Sequence, residues 1–165
     1  MEVIIITGKI NSGKTTLMKK FVDKEKRKGR SPTGIIVLGI FKKGLKTGFN
    51  VKDISKDESR LLASTEKNDP HGFLVGRFNF FKEGFEFAKK ALLNFKPKGV
   101  VFIDEVGPLE LCGKGYADCL RGLLSSDISK LYISIRRNCL KEFMRAYLSS
   151  KNLDINCLTT QNIRV

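Results

Sequence analysis

Lys14 and Thr15 near the start of the chain, and Asp104 and Glu105 further along it, are side chains of the types that phosphoryl chemistry uses. The first two close the run Gly8-Lys9-Ile10-Asn11-Ser12-Gly13-Lys14-Thr15, followed by Thr16, which fits G-x-x-x-x-G-K-[ST] at every fixed position. Gly8 and Gly13 permit backbone angles and close approaches that a Cβ obstructs. Backbone N–H groups along such a loop converge on phosphate oxygens, beside the positive end of the helix that follows. Lys14 is expected at the β- and γ-phosphates and the Thr15 hydroxyl on Mg2+. A Gly/Lys-rich turn can match this pattern by chance. Its position argues otherwise, because it follows the apolar run Val3-Ile4-Ile5-Ile6 and precedes a helical pattern.

Val100-Val101-Phe102-Ile103 is a second apolar run, ending in Asp104-Glu105. A strand here, beside the first, would bring Asp104 into the Mg2+ shell through water. Glu105 would then orient or deprotonate an attacking water. The plain alternative is a strand ending in solvated carboxylates, and the phosphate loop upstream weighs against it. Gly107 and Pro108 fix a rigid turn at the strand tip. The nucleotide-contacting set expected from these stretches runs from Gly8 to Thr16 and adds Asp104, Glu105 and Gly107. Glu110 faces either the site or solvent. Arg136 and Arg137 end a later strand, and either could serve as an arginine finger in cis, an anion contact or a surface feature.

These residues need a scaffold, and the hydrophobic pattern describes one. A helix is expected over 14–28, with Leu17, Met18, Phe21 and Val22 as its apolar stripe, stopped by Gly29 and Pro32. Thr33 to Phe41 reads as a strand, and Gly48 to Ile54 as a second that pairs with it in a hairpin. A polar link over 55–60, a short strand over 61–64, a polar stretch with the Asn68-Asp69-Pro70 turn and an extended run over 73–80 complete an antiparallel excursion, 33–80. Helices are then expected over 81–95, 116–124 and 140–148, and strands over 100–105, 131–135 and 155–159. One domain over 1–165 with an α/β, three-layer, mainly parallel sheet follows, with nucleotide at the carboxyl ends of its strands.

Composition narrows the class. Apolar residues make up 41% of the chain and charged residues 29%, as in globular proteins. The apolar runs are too short to cross a bilayer, so no membrane partner is expected. Met1-Glu2 leads directly into a strand without a basic leader, and a cytoplasmic location is expected. A net charge of +14 suits nucleic acid, an anionic surface, a polyanionic ligand, or simply a Lys-rich solvated face. With no RNA-binding aromatic motif and no zinc-finger spacing, nucleic acid is not favoured. Cys112, Cys119, Cys139 and Cys157 have no C-x-x-C spacing, so reduced core thiols are expected, and His71 stands alone. Nothing in the sequence sets an oligomeric state.

Several stretches taken together resemble the THEP-type nucleoside-triphosphatases. They are the loop from Gly8 to Thr16, Thr47-Gly48-Phe49, Val75-Gly76-Arg77-Phe78 and, most specifically, Ile103-Asp104-Glu105-Val106-Gly107-Pro108-Leu109-Glu110-Leu111. Leu158 to Asn162 resembles that family's closing LT-x-E-N stretch, while Val106 and Lys9 are departures from its pattern. The resemblance implies a RecA-like P-loop fold with an acidic pair at a strand end. It also implies hydrolysis of ATP, GTP and other nucleoside triphosphates to diphosphate and phosphate with Mg2+. On it, Gly8 to Thr15 bind phosphates and Mg2+, Asp104 supports the metal and Glu105 activates water. A nucleotide or small-molecule kinase using the same loop is the rival reading, and a nucleic-acid-associated ATPase or switch is a further one.

Overall fold

Val3, Ile4, Ile5 and Ile6 are apolar in succession, and successive side chains of a strand point to opposite faces. A strand of this kind needs cover on both sides. The computed structural model of the chain, which describes residues 1–149 and 152–160, supplies it. In β1 (Glu2–Gly8), Ile4 and Ile6 pack under α1 (Lys14–Arg27) with Leu17, Met18 and Val22. Val3 and Ile5 join the opposite core, which is covered by α2 (Lys82–Leu93), α4 (Ala117–Leu123) and α5 (Leu140–Phe143). The result is three layers, with the sheet in the middle.

The excursion predicted for 33–80 consists of β2 (Thr33–Lys42), β3 (Leu45–Asp53), β4 (Ser59–Ser64), β5 (Phe73–Val75) and β6 (Phe78–Phe80). The later strands are β7 (Val100–Val106), β8 (Lys130–Arg136) and β9 (Asp154–Thr159). Among the described residues they form one sheet in the order β5-β6-β4-β3-β2-β7-β8-β1-β9. From β2 to β9 the strands are parallel, and from β2 outward to β5 they are antiparallel. β2 therefore belongs to both halves, joining the parallel core to the excursion. Among the described residues no helix is long and apolar enough to cross a membrane.

The structure corrects several expectations. β7 is not beside β1, because β8 is inserted between them and pairs with both. The order of these strands depends on contacts distant in sequence and is not written in either strand. Residues 73–80 are not one extended run: the chain reverses at Gly76, at φ 58°, and β5 and β6 pair antiparallel. β4 starts at Ser59, inside the stretch read as a polar link. Beyond the Gly107 turn lies a short helix, α3 (Pro108–Leu111), with Pro108 at its first position, where the missing N–H costs nothing. The expected helix over 140–148 is α5 followed by a π-helical turn, Met144–Leu148. Cys119 and Cys139 are buried, but Cys112 and Cys157 are exposed, and all four are free thiols. Gln161 and Asn162 lie outside the described residues.

The core under α1 has an aromatic centre. Phe102 of β7 and Tyr132 of β8 stack with centroids 4.3 Å apart and planes within 1°, and Phe102 is fully buried. Phe102→Ala removes a ring that its neighbours cannot refill, and is expected to cost about 3–5 kcal/mol in urea unfolding.

Candidate active site

The loop between β1 and α1 is shaped by its glycines. Gly13 is the residue before α1 and adopts φ 88°, ψ 12°, a left-handed conformation suited to glycine. Gly8 is needed for space, since a Cβ there would stand 2.3 Å from Ser12 Oγ and 2.5 Å from Thr160 Oγ1. The Thr160 hydroxyl donates to Ser12 Oγ at 3.0 Å and ties the loop to the end of β9. No side chain caps the N-terminus of α1, and its first turn carries no acidic residue. The positive end of the helix dipole is thus left open to an anion. Lys9, Ile10, Asn11 and Gly13 are exposed along the loop, as is Thr16 in the first turn of α1.

Lys14 is buried, and its ammonium donates to the carbonyls of Lys9 at 3.0 Å and Gly8 at 3.5 Å. It also lies 3.8 Å from Glu105 Oε2. The register of β7 against β8 shifts between Ile103 and Val106, an irregularity of the kind that re-aims side chains. Asp104 and Glu105, adjacent in sequence, both meet the loop and its helix. Asp104 is fully buried and accepts from the Thr15 hydroxyl at 2.9 Å, from the Val37 N–H at 3.2 Å and from the Ser134 hydroxyl. Burial pushes its carboxyl up to about 6, against the hydrogen bonds from Ser134 and Thr15, which hold it down. Glu105 is partly exposed and accepts from Arg136 Nε at 2.5 Å.

The remaining predicted residues are divided by the fold. Arg136 joins the acidic pair through Glu105. Arg137, one residue on, is exposed and turns to the other flank of the loop, where it lines a small cavity with Thr7, Gly8, Ser12 and Thr160. The Gly107 N–H is already taken, donating to Glu110 Oε2 at 2.9 Å. Glu110 therefore faces neither nucleotide nor solvent. It is buried, and its other oxygen accepts from the Tyr116 N–H at 3.2 Å, so it fastens the tip of β7 to the start of α4. Burial raises its carboxyl against the two backbone hydrogen bonds. The Tyr147 hydroxyl donates to the Glu110 carbonyl from the π-helical turn.

Sequence reasoning passed over Ser134 and Val37. Ser134 had a signal, as the single polar residue between the apolar positions Ile133 and Ile135, and a buried polar side chain needs a partner. The Val37 N–H had none, since its role depends on β2 lying against β7. Thr15 Oγ1 and Asp104 Oδ2 form a pair of hard oxygens. Among the described residues no cluster of three or more His, Cys, Asp or Glu side chains could hold a metal. Two protein oxygens suit Mg2+, which keeps waters and substrate phosphates in its shell, rather than a metal held wholly by protein.

A parallel α/β core, a phosphate loop joining its first strand to its first helix, and an acidic strand end facing that loop define a P-loop NTPase fold. The NTPase family model matches residues 3–164. Nucleoside-triphosphatase THEP1 of Methanothermobacter thermautotrophicus is 31% identical over 146 residues, covering 86% of this chain and 80% of that protein. THEP1 of Methanopyrus kandleri is 28% identical over 136 residues, covering 82% and 74%. The crystal structure of THEP1 from Aquifex aeolicus superimposes with a TM-score of 0.73 at 24% identity, covering 97% of this chain and 91% of that one. The solution structure of a human cancer-related nucleoside triphosphatase gives 0.75 at 22% identity, covering 96% and 88%. The chain belongs to the NTPase family, and with it to the nucleoside-triphosphate phosphohydrolases.

The raised carboxyl of Asp104 gives a signed pH dependence. A carboxyl raised in the folded state stabilises fully below its unfolded value near 3.8, and that contribution is lost as pH rises through about 6. Asp104→Asn removes the titration. Urea unfolding of the ligand-free protein between pH 4 and 7 is therefore expected to show the intact chain losing up to about 3 kcal/mol relative to the Asn variant as pH rises.

Proposed function

We propose that this chain is an Mg2+-dependent nucleoside triphosphatase that cleaves the β–γ phosphoanhydride of ATP, GTP and related triphosphates with little selection by base. One observation carries the reading: the Lys14 and Thr15 side chains at the start of α1 meet Asp104 and Glu105 across β8, at 2.9 Å for Thr15 and Asp104 and 3.8 Å for Lys14 and Glu105. Loop N–H groups and the α1 terminus contact phosphates and read no base, which supports broad selectivity. Lys14, now turned onto loop carbonyls, is placed to exchange them for phosphate oxygens and to offset charge as it grows on the γ-phosphoryl group. Thr15, and Asp104 through water, would hold Mg2+, which would supply electrostatic neutralisation of the charge that develops on the phosphates. Glu105 positions the attacking water and takes its proton, and Arg136 holds that carboxylate in place.

The test is phosphate release from Mg·ATP and Mg·GTP with no other acceptor. Glu105→Gln is expected to bind nucleotide as the intact protein does and to lose turnover by about 10²–10⁴-fold. Lys14→Ala is expected to weaken triphosphate binding on the order of a hundredfold, as loss of a charge-assisted contact does. Retained hydrolysis by the Gln variant would remove Glu105 as the base. Phosphoryl transfer only when a hydroxyl or phosphate acceptor is added would replace water as the acceptor and make the protein a kinase.

A further inference from the structure

The β2–β3 hairpin runs past Val37 on the side of the phosphate loop where the carboxylates lie, and it brings a lysine back to the loop. Lys46 Nζ donates to Asn11 Oδ1 at 3.1 Å. Its position is built rather than incidental. Nζ lies 5.4 Å from the Phe41 ring centre and 5.2 Å from that of Phe49. Gly39 leaves room for the stem, since a Cβ there would stand 2.8 Å from the Phe41 ring and 3.2 Å from Lys46 Cε. The Lys46 carbonyl accepts from Arg77 Nη2 at 2.8 Å, which fixes the backbone beneath it.

Charge makes the placement informative. Lys42, on the same hairpin, is paired with Glu66, and Arg136 with Glu105. Among the described residues Lys46 forms no ion pair with a carboxylate. Its ammonium meets a neutral amide oxygen instead, although holding a lysine in one geometry costs rotamer entropy. A confined, unneutralised cation at the rim of an anion-binding loop is placed for an anion that arrives there. The flank identifies which end of that anion it meets. Arg137 and Thr160 stand on the β9 flank, whereas Lys46 comes from the β2 flank, where Asp104 accepts from Val37. The β2 flank is the one that holds the carboxylates, and hence the end of the phosphate chain where cleavage takes place.

We propose that Lys46 is a second phosphate-binding cation of this site, which leaves Asn11 Oδ1 for the terminal phosphate of a bound triphosphate. The proposal rests on reading the Gly8 to Thr15 loop as a triphosphate site. It is tested by calorimetric titration of the intact protein, Lys46→Met and Lys46→Arg with Mg2+ and either ADP or the β,γ-imido analogue of ATP. Methionine keeps an apolar stem against the rings and removes the ammonium with its bond to Asn11, so a melting temperature lower by no more than a few degrees is expected. Lys46→Met should lose about tenfold or more in affinity for the triphosphate analogue and less than about twofold for ADP, with arginine restoring most of the loss. Equal losses for both nucleotides, or none for the analogue, overturn the assignment of Lys46 while leaving the loop reading intact. An intact protein that binds neither nucleotide overturns the loop reading and the assignment together.

Discussion

Burying the Asp104 carboxylate is the constraint on which the rest of the site depends. A carboxyl group out of water costs several kcal/mol unless donors surround it. Here the donors come from three separate elements: Thr15 from α1, the Val37 N–H from β2 and Ser134 from β8. Satisfying one carboxylate therefore joins the phosphate loop to the acidic strand, and the acidic strand to the root of the hairpin. All three donors are electrically neutral. The negative charge is stabilised by dipoles alone, which leaves it short of a cation and explains why burial still raises its proton affinity.

The surrounding fold keeps these donors in register. The parallel strands β7, β8 and β1 end together, so that Asp104, Ser134 and Gly8 reach one edge of the sheet. Two cores on opposite faces hold that edge rigid, one under α1 and the other under α2, α4 and α5. Beyond the edge, Glu110 fixes the departing chain by accepting from the Gly107 and Tyr116 N–H groups. The family's strand-tip pattern then has a physical reading in this chain. Pro108 starts a helix that needs no first N–H, and Glu110 satisfies the N–H before it, as in half of a capping box.

Much of this was legible in the sequence, and the division follows the range of the interactions. The phosphate loop and the acidic strand end could be located because each is local, set by residues within a few positions of one another. The three layers followed from strands that are apolar on both faces, such as Val3 to Ile6. Strand order was not legible, because the position of β8 between β1 and β7 depends on contacts distant in sequence that leave no mark on either strand. The β5–β6 reversal at Gly76 was hidden by apolar residues on both sides, which read as one run. In the sequence Glu110 reads as facing either the site or solvent, because acidic side chains are seldom buried, and only the two N–H groups facing it replace both alternatives. Nothing local to Lys46 distinguishes it from the other lysines of the chain, since its contact with Asn11 depends on the hairpin's return to the loop.

The adjacent carboxylates are the pair on which a mechanism must turn, and their surroundings differ in kind. Asp104 is fully buried among neutral donors, whereas Glu105 is partly exposed between two cations, Lys14 and Arg136. Neighbouring acids whose environments diverge are suited to different tasks. A buried carboxylate that lacks a counter-charge favours an incoming cation. A carboxylate with access to solvent, held by a guanidinium, can meet a water molecule. This contrast supports giving Asp104 the metal side and Glu105 the water side of the proposed reaction. On the proposed reaction, a Lys14 ammonium drawn from the loop carbonyls to a phosphate would leave Glu105 without its partner at 3.8 Å but still with the closer one, Arg136, at 2.5 Å. Arg136 would thereby hold the proposed base in place while Lys14 changed partners.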